Sequence, residues 1–170
     1  MHAKPERTIG DVGKEGGTRL EPGRHASFLV VALANRISAS ASRAYMRQFG
    51  VGVMEWRAMA LLAASPGITA NQIAQVSGVD KSAVSRAVHL LLKRGDVEAS
   101  EDKTDNRRAL LTLTPKGLEL HDRIIVESLA RERLLLTGLS DRERGQLFAL
   151  LKRLLANMPL VHARGPGRAS

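Results

Sequence analysis

The chain has 170 residues, with 26 Lys and Arg against 17 Asp and Glu, a net charge of +9 and no cysteine. The missing thiols exclude disulfide frameworks, thiolate metal sites and thiol-based redox sensing. No apolar run is long enough to cross a bilayer and no export signal opens the chain, so a cytoplasmic, non-membrane protein is expected. A sequence pI near 10.8 favours polyanionic partners, of which nucleic acid is the commonest. One Trp, one Tyr and three Phe are too few for the stacking surfaces of a single-strand or RNA binder.

Residues 1–23 mix charge with Gly and Pro and read as a flexible arm, and 163–170 read as a flexible basic tail. Between them the pattern is mainly helical. Phe28/Leu29, Ala32/Leu33, Ile37 and Ala41/Ala44 recur at helical spacing and predict a helix over 24–49, ended at Gly50. A second helix runs from about residue 54 to 64, apolar at Trp56, Met59/Ala60 and Ala63, and Ser65-Pro66-Gly67 closes it. Beyond residue 114, Thr114-Pro115 starts a helix reaching about Leu136, and Ser140-Asp141-Arg142-Glu143 caps a last, leucine-rich one. These outer helices are too long and narrow to bury one another, which predicts an intersubunit bundle and a homodimer.

The centre of the chain carries the chemistry. Thr69-Ala70-Asn71-Gln72 is a capping box opening a short helix with Ile73, Ala74 and Val76 on its apolar side. Ser77-Gly78-Val79 turns, and Asp80 caps a second helix that ends at Gly95. Helix, tight turn, helix is the helix-turn-helix arrangement. In the second helix Val84, Ala87/Val88 and Leu91/Leu92 are expected to face inward, leaving Ser82, Ser85, Arg86, His89 and Lys93 outside. Small donors, an Arg and a His on one face suit base edges and phosphates in a major groove. A hairpin follows, Val97–Ser100 and Arg108–Leu113, with a charged loop between. Residues 81–108 hold seven basic and five acidic side chains, a mixture implying basic groups placed one by one. Asp105 could hold Arg107 in one rotamer at the tip, fit for a narrow minor groove. The expected fold class is thus mainly α with a small β-hairpin wing. The residues expected to bind double-stranded DNA are Thr69, Asn71, Lys81, Ser82, Ser85, Arg86, His89, Lys93, Asn106, Arg107 and Arg108, with Asp105 orienting the wing.

The runs TANQIAQVSGVDKSAVSRAVHLLLKRGDVE and DKTDNRRALLTLTPKG, with GVGVMEWRAMALL upstream, resemble the multiple-antibiotic-resistance regulator (MarR) family. The resemblance covers roughly residues 25–158 and includes the wing pattern Asp102, Asp105, Arg107, Arg108. It implies a single domain over 24–162, with a winged helix-turn-helix lobe at 53–114 and dimerisation helices at 24–49 and 115–158. It further implies a homodimer on a near-palindromic operator, and a repressor released by a small aromatic or phenolic acid. The alternative is a constitutive regulator or architectural DNA-binding protein with no effector. A ligand lodged between the dimerisation helices and the lobe would fall near Arg36, Ser40, Val53, Trp56 and Met59, Arg36 offering a carboxylate grip. Five scattered histidines predict no metal site, no cofactor is implied, and no nucleophile–base constellation or phosphate loop points to an enzyme.

Overall fold

The computed structural model describes residues 21–101 and 108–163; the expected arm at 1–20, wing tip at 102–107 and tail at 164–170 lie outside them. The elements are α1 (Ala26–Phe49), α2 (Val53–Ala64), α3 (Ala70–Ser77), α4 (Lys81–Arg94), β1 (Val97–Glu101), β2 (Ala109–Leu113), α5 (Pro115–Leu135), α6 (Asp141–Ala156) and α7 (Met158–Ala163). A 3₁₀ turn at Pro22–Arg24 precedes α1. Among the described residues no helix is long and apolar enough to cross a membrane.

Contacts divide the chain into two units, meeting at Ile124 within α5. The first unit owns the core. Met59 and Leu62 of α2, Ile73 of α3, Val84 and Leu91 of α4, and Ile124 of α5 are at most 1% exposed. They come from four helices whose apolar residues repeat at three and four, so each helix turns one stripe inward. β1 and β2 pair antiparallel from Val97↔Leu113 to Glu101↔Ala109, and within these two strands only Val97 and Leu111 are buried. The far edge of β2 is covered too: Leu111 N–H donates to Ile68 O (3.0 Å) and Gly67 N–H to Leu111 O (2.9 Å). The segment leading into α3 is therefore hydrogen-bonded to the wing. β2 is therefore paired on both edges at Leu111, with β1 on one side and Gly67–Ile68 on the other.

Caps behave as the residue types dictate. Thr69 and Ser140 form complete capping boxes with Gln72 and Glu143. Thr114 Oγ1 accepts from Gly117 N–H and caps α5. Gly78 sits at φ 65°, the left-handed conformation the turn between α3 and α4 needs.

Two apolar assignments are corrected. Val76 is 69% exposed, because α3 is only eight residues long and its inward stripe is filled by Ile73 and Ala74. Leu92 is 37% exposed, since Val84, Ala87, Val88 and Leu91 already complete the buried stripe of α4. The last leucine-rich stretch is also two helices, with α7 following α6 after Asn157.

Both units leave apolar surface uncovered. In the first, Phe28, Leu29, Val31 and Leu33 near the start of α1 are half exposed or more. In the second, Leu150, Leu155, Leu160 and Val161 on α6 and α7 are equally bare.

Candidate nucleic-acid interface

α4 presents the polar face that its spacing requires. Lys81, Ser82, Ser85, Arg86, His89 and Lys93 are all exposed, while Val84, Ala87, Val88 and Leu91 hold the opposite side in the core. Asp80 fixes the helix start: its Oδ1 accepts from the backbone N–H of Ser82 (2.8 Å) and of Ala83 (3.3 Å). Ser82 Oγ donates to the same oxygen at 2.5 Å, and Arg86 Nη1 donates to Ser82 Oγ at 3.2 Å. The hydroxyl of Ser82, then its backbone N–H and that of Ala83, hold the Asp80 carboxyl below the ordinary aspartate range. In α6 the hydroxyl and backbone N–H of Ser140 do the same for Glu143.

A carboxyl lowered on folding stabilises the fold above its unfolded value, and that contribution is lost as pH falls through the folded one. Acidification to below the ordinary carboxylate range is therefore expected to uncap α4 and α6. Circular dichroism against pH should show helix content dropping there, and Asp80→Asn should flatten part of the dependence by keeping a cap that does not titrate.

Thr69 and Asn71 at the start of α3 and Arg108, just before β2 on the loop side of the hairpin, line one concavity of about 530 Å³, with Gln72, Gln75 and Leu92. Three of the expected DNA contacts thus share a hollow alongside α4. The hydroxyl of Thr69 serves the cap, accepting from Gln72 N–H (3.2 Å) and donating to Gln72 Oε1 (3.1 Å). Asp105, Asn106 and Arg107 lie outside the described residues.

The residues suggested for an effector do not share one setting. Met59 is fully buried, and Trp56 is 9% exposed, edge-on to Tyr45 at 6.0 Å and stacked on His121 at 5.3 Å. Ser40 and Val53 are half-buried. Arg36 is exposed and lines a groove of about 330 Å³ with Pro22, Phe28, Leu29 and Leu33. Among the described residues no cluster of His, Asp or Glu could hold a metal ion.

Sequence reasoning missed a charge cluster behind the wing. Asp96 is completely buried between α4 and β1; its Oδ2 lies 2.8 Å from Arg94 Nε and its Oδ1 3.3 Å from Lys116 Nζ. Neither oxygen has a hydrogen bond of good geometry, so the attraction is ionic. Arg94 also donates from Nη1 to Gly50 O (2.7 Å), and Lys116 Nζ to Arg94 O. The cluster joins the end of α4, the start of the wing, the first turn of α5 and the turn after α1. The only local signal is an acidic residue two positions after Arg94, between Gly95 and a strand; Lys116, twenty positions on, carries none.

The comparisons agree with this architecture. The MarR family model matches residues 49–108. A candidate transcriptional regulatory protein for the hcr operon of Thauera aromatica is 34% identical over 94 residues, 55% of this chain and 57% of that protein. The chain spans less than two thirds of the length of the curated relatives it matches. A MarR/EmrR family transcriptional regulator from Acinetobacter sp. ADP1 is 33% identical in its crystal structure, with a TM-score of 0.78, covering 83% of this chain and 99% of that one. A MarR family regulator from Listeria monocytogenes, solved in complex with 26mer DNA, shares the fold at 20% identity and a TM-score of 0.76, covering 86% and 99%. With one residue in three shared over almost the whole Acinetobacter chain, and a capped two-faced helix followed by a hairpin at its centre, the chain belongs to the MarR family of transcriptional regulators.

Proposed function

We propose that the protein is a homodimeric regulator that binds a near-palindromic double-stranded operator and represses transcription until a small aromatic or phenolic acid releases it. The observation that carries the reading is the exposed face of α4, where Lys81, Ser85, Arg86, His89 and Lys93 stand together on a helix whose other side is locked into the core. A rigid helix bearing donors on one side and capped at its leading end fits the major groove. The wing beside it would bring Arg107 and Arg108 to the adjacent minor groove, where a narrow, electronegative channel favours guanidinium. Bare leucines on α6 and α7 and bare Phe28, Leu29 and Leu33 on α1 support a second copy as the covering partner.

Binding is tested with the duplex that the wild-type protein enriches from random-sequence DNA. Arg86→Ala is expected to weaken that complex by about 10- to 100-fold and to relax its preference at one position. Arg107→Ala should also weaken the complex and lower the salt slope by about one. A protein whose affinity for duplex is insensitive to salt and to both substitutions would overturn the reading.

Release is supported by Arg36, an exposed guanidinium beside Phe28, Leu29 and Leu33, so that an aromatic acid gripped by it would lodge at the seam assigned to the second copy. Titrating benzoate, salicylate and 4-hydroxybenzoate into the operator complex should lower affinity, and Arg36→Ala should remove the response. If none of these acids binds or shifts operator affinity, the constitutive reading takes its place.

A further inference from the structure

Asp80, Ser82 and Arg86 form a directed chain along the exposed face of α4. A serine hydroxyl has one proton, and that of Ser82 points to Asp80 Oδ1 at 2.5 Å. What remains on Ser82 Oγ is acceptor capacity, and Arg86 Nη1 occupies it at 3.2 Å. Residues 82 and 86 are one turn apart, so the guanidinium lies back over Ser82 along the helix surface. Asp80 is itself held by the two backbone N–H groups it caps. Both ends of the chain are therefore anchored to the helix before any ligand arrives.

We infer that Asp80 and Ser82 are positioning residues, which set sequence preference at one base pair by fixing the Arg86 guanidinium rather than by touching DNA themselves. The inference rests on the DNA-binding reading above. Arg reads guanine by presenting two N–H groups to O6 and N7 in one plane. A guanidinium already tethered at Nη1 loses less freedom on reaching that geometry than one sampling all its rotamers. Ser82 belonged by sequence to the direct contacts, but its only proton is directed to a carboxylate. It has no second donor to offer a phosphate oxygen or a base acceptor. Asp80 is a carboxylate at neutral pH, so its Oδ1 can only accept.

The test is a double-mutant cycle on the duplex enriched from random DNA, its single base-pair substitutions, and an unselected duplex of the same length. Ser82→Ala keeps the cap, because Asp80 still receives two backbone N–H groups; an unchanged thermal midpoint verifies this. It is expected to lower discrimination at one base pair by about fivefold and leave affinity for the unselected duplex unchanged. In the Arg86→Ala background Ser82→Ala should have no further effect, and Ser82→Thr, which retains the hydroxyl, should restore discrimination in the parent. Equal losses in both backgrounds would mean that Ser82 touches DNA directly, overturning the inference while leaving DNA binding intact. Full discrimination in Ser82→Ala would overturn it as well. If the wild-type protein enriches no sequence, the DNA-binding reading falls and takes the inference with it, an outcome distinct from the other two.

Discussion

Arg94→Met is expected to lower the unfolding free energy by about 3 kcal/mol, because it strands a buried carboxylate. Asp96 has no exposed surface, and Arg94 Nε at 2.8 Å is its nearer cation. Lys116 remains at 3.3 Å, but its side chain is 63% exposed and it holds the carboxylate less closely. The reverse substitution is milder. Asp96→Asn leaves two cations that are already partly in water, so about 1–2 kcal/mol is expected. The sign test lies in the pair: Arg94→Met with Asp96→Asn should be more stable than Arg94→Met alone, since the stranded charge has gone. Urea midpoints at neutral pH measure all three. A double variant no more stable than Arg94→Met would show that the loss comes from the Arg94 bond to Gly50 O instead.

What the sequence disclosed and what it hid follow from the range of each interaction. The capping boxes at Thr69 and Ser140, the Asp80 cap and the Gly78 turn involve residues within four positions, and all appear as read. The faces of α4 were legible for the same reason, because helical period converts directly into direction. Leu92 shows where period alone fails: it sits beside a stripe already filled by Val88 and Leu91, and only the packed neighbours decide that it stays outside. The Asp96 cluster gathers Gly50, Arg94, Asp96 and Lys116, separated by up to 66 positions, and no local pattern marks such a meeting. His121 stacks on Trp56 across two helices, a contact between residues 65 positions apart that no local pattern marks either. The Asp80–Ser82–Arg86 chain is different again. Its spacing is visible in the sequence, but the direction of the hydroxyl, and hence the role of Ser82, needed atomic positions.

The other large effect concerns two helical glycines of opposite consequence. Gly117 lies in the first turn of α5, and a Cβ built there would stand 1.8 Å from the backbone oxygen of Asp96. That oxygen already accepts from Thr114 N–H at 3.1 Å, so it cannot withdraw without breaking the junction between β1 and α5. Gly117→Ala should therefore cost about 3 kcal/mol, the upper end of ordinary overpacking, despite the better helix propensity of alanine. Gly145 in α6 has nothing within 4 Å of the same imaginary atom. There propensity acts unopposed, and Gly145→Ala should stabilise by about 0.5–1 kcal/mol. Thermal and urea unfolding of the two variants should move in opposite directions from wild type. Equal shifts would mean that the close approach of α5 to Asp96 is not maintained in solution. Gly117→Ala should also weaken operator binding at temperatures where the protein remains folded. The displaced turn carries Lys116 and the base of the hairpin with it, so the wing would meet DNA from a different angle than α4 requires.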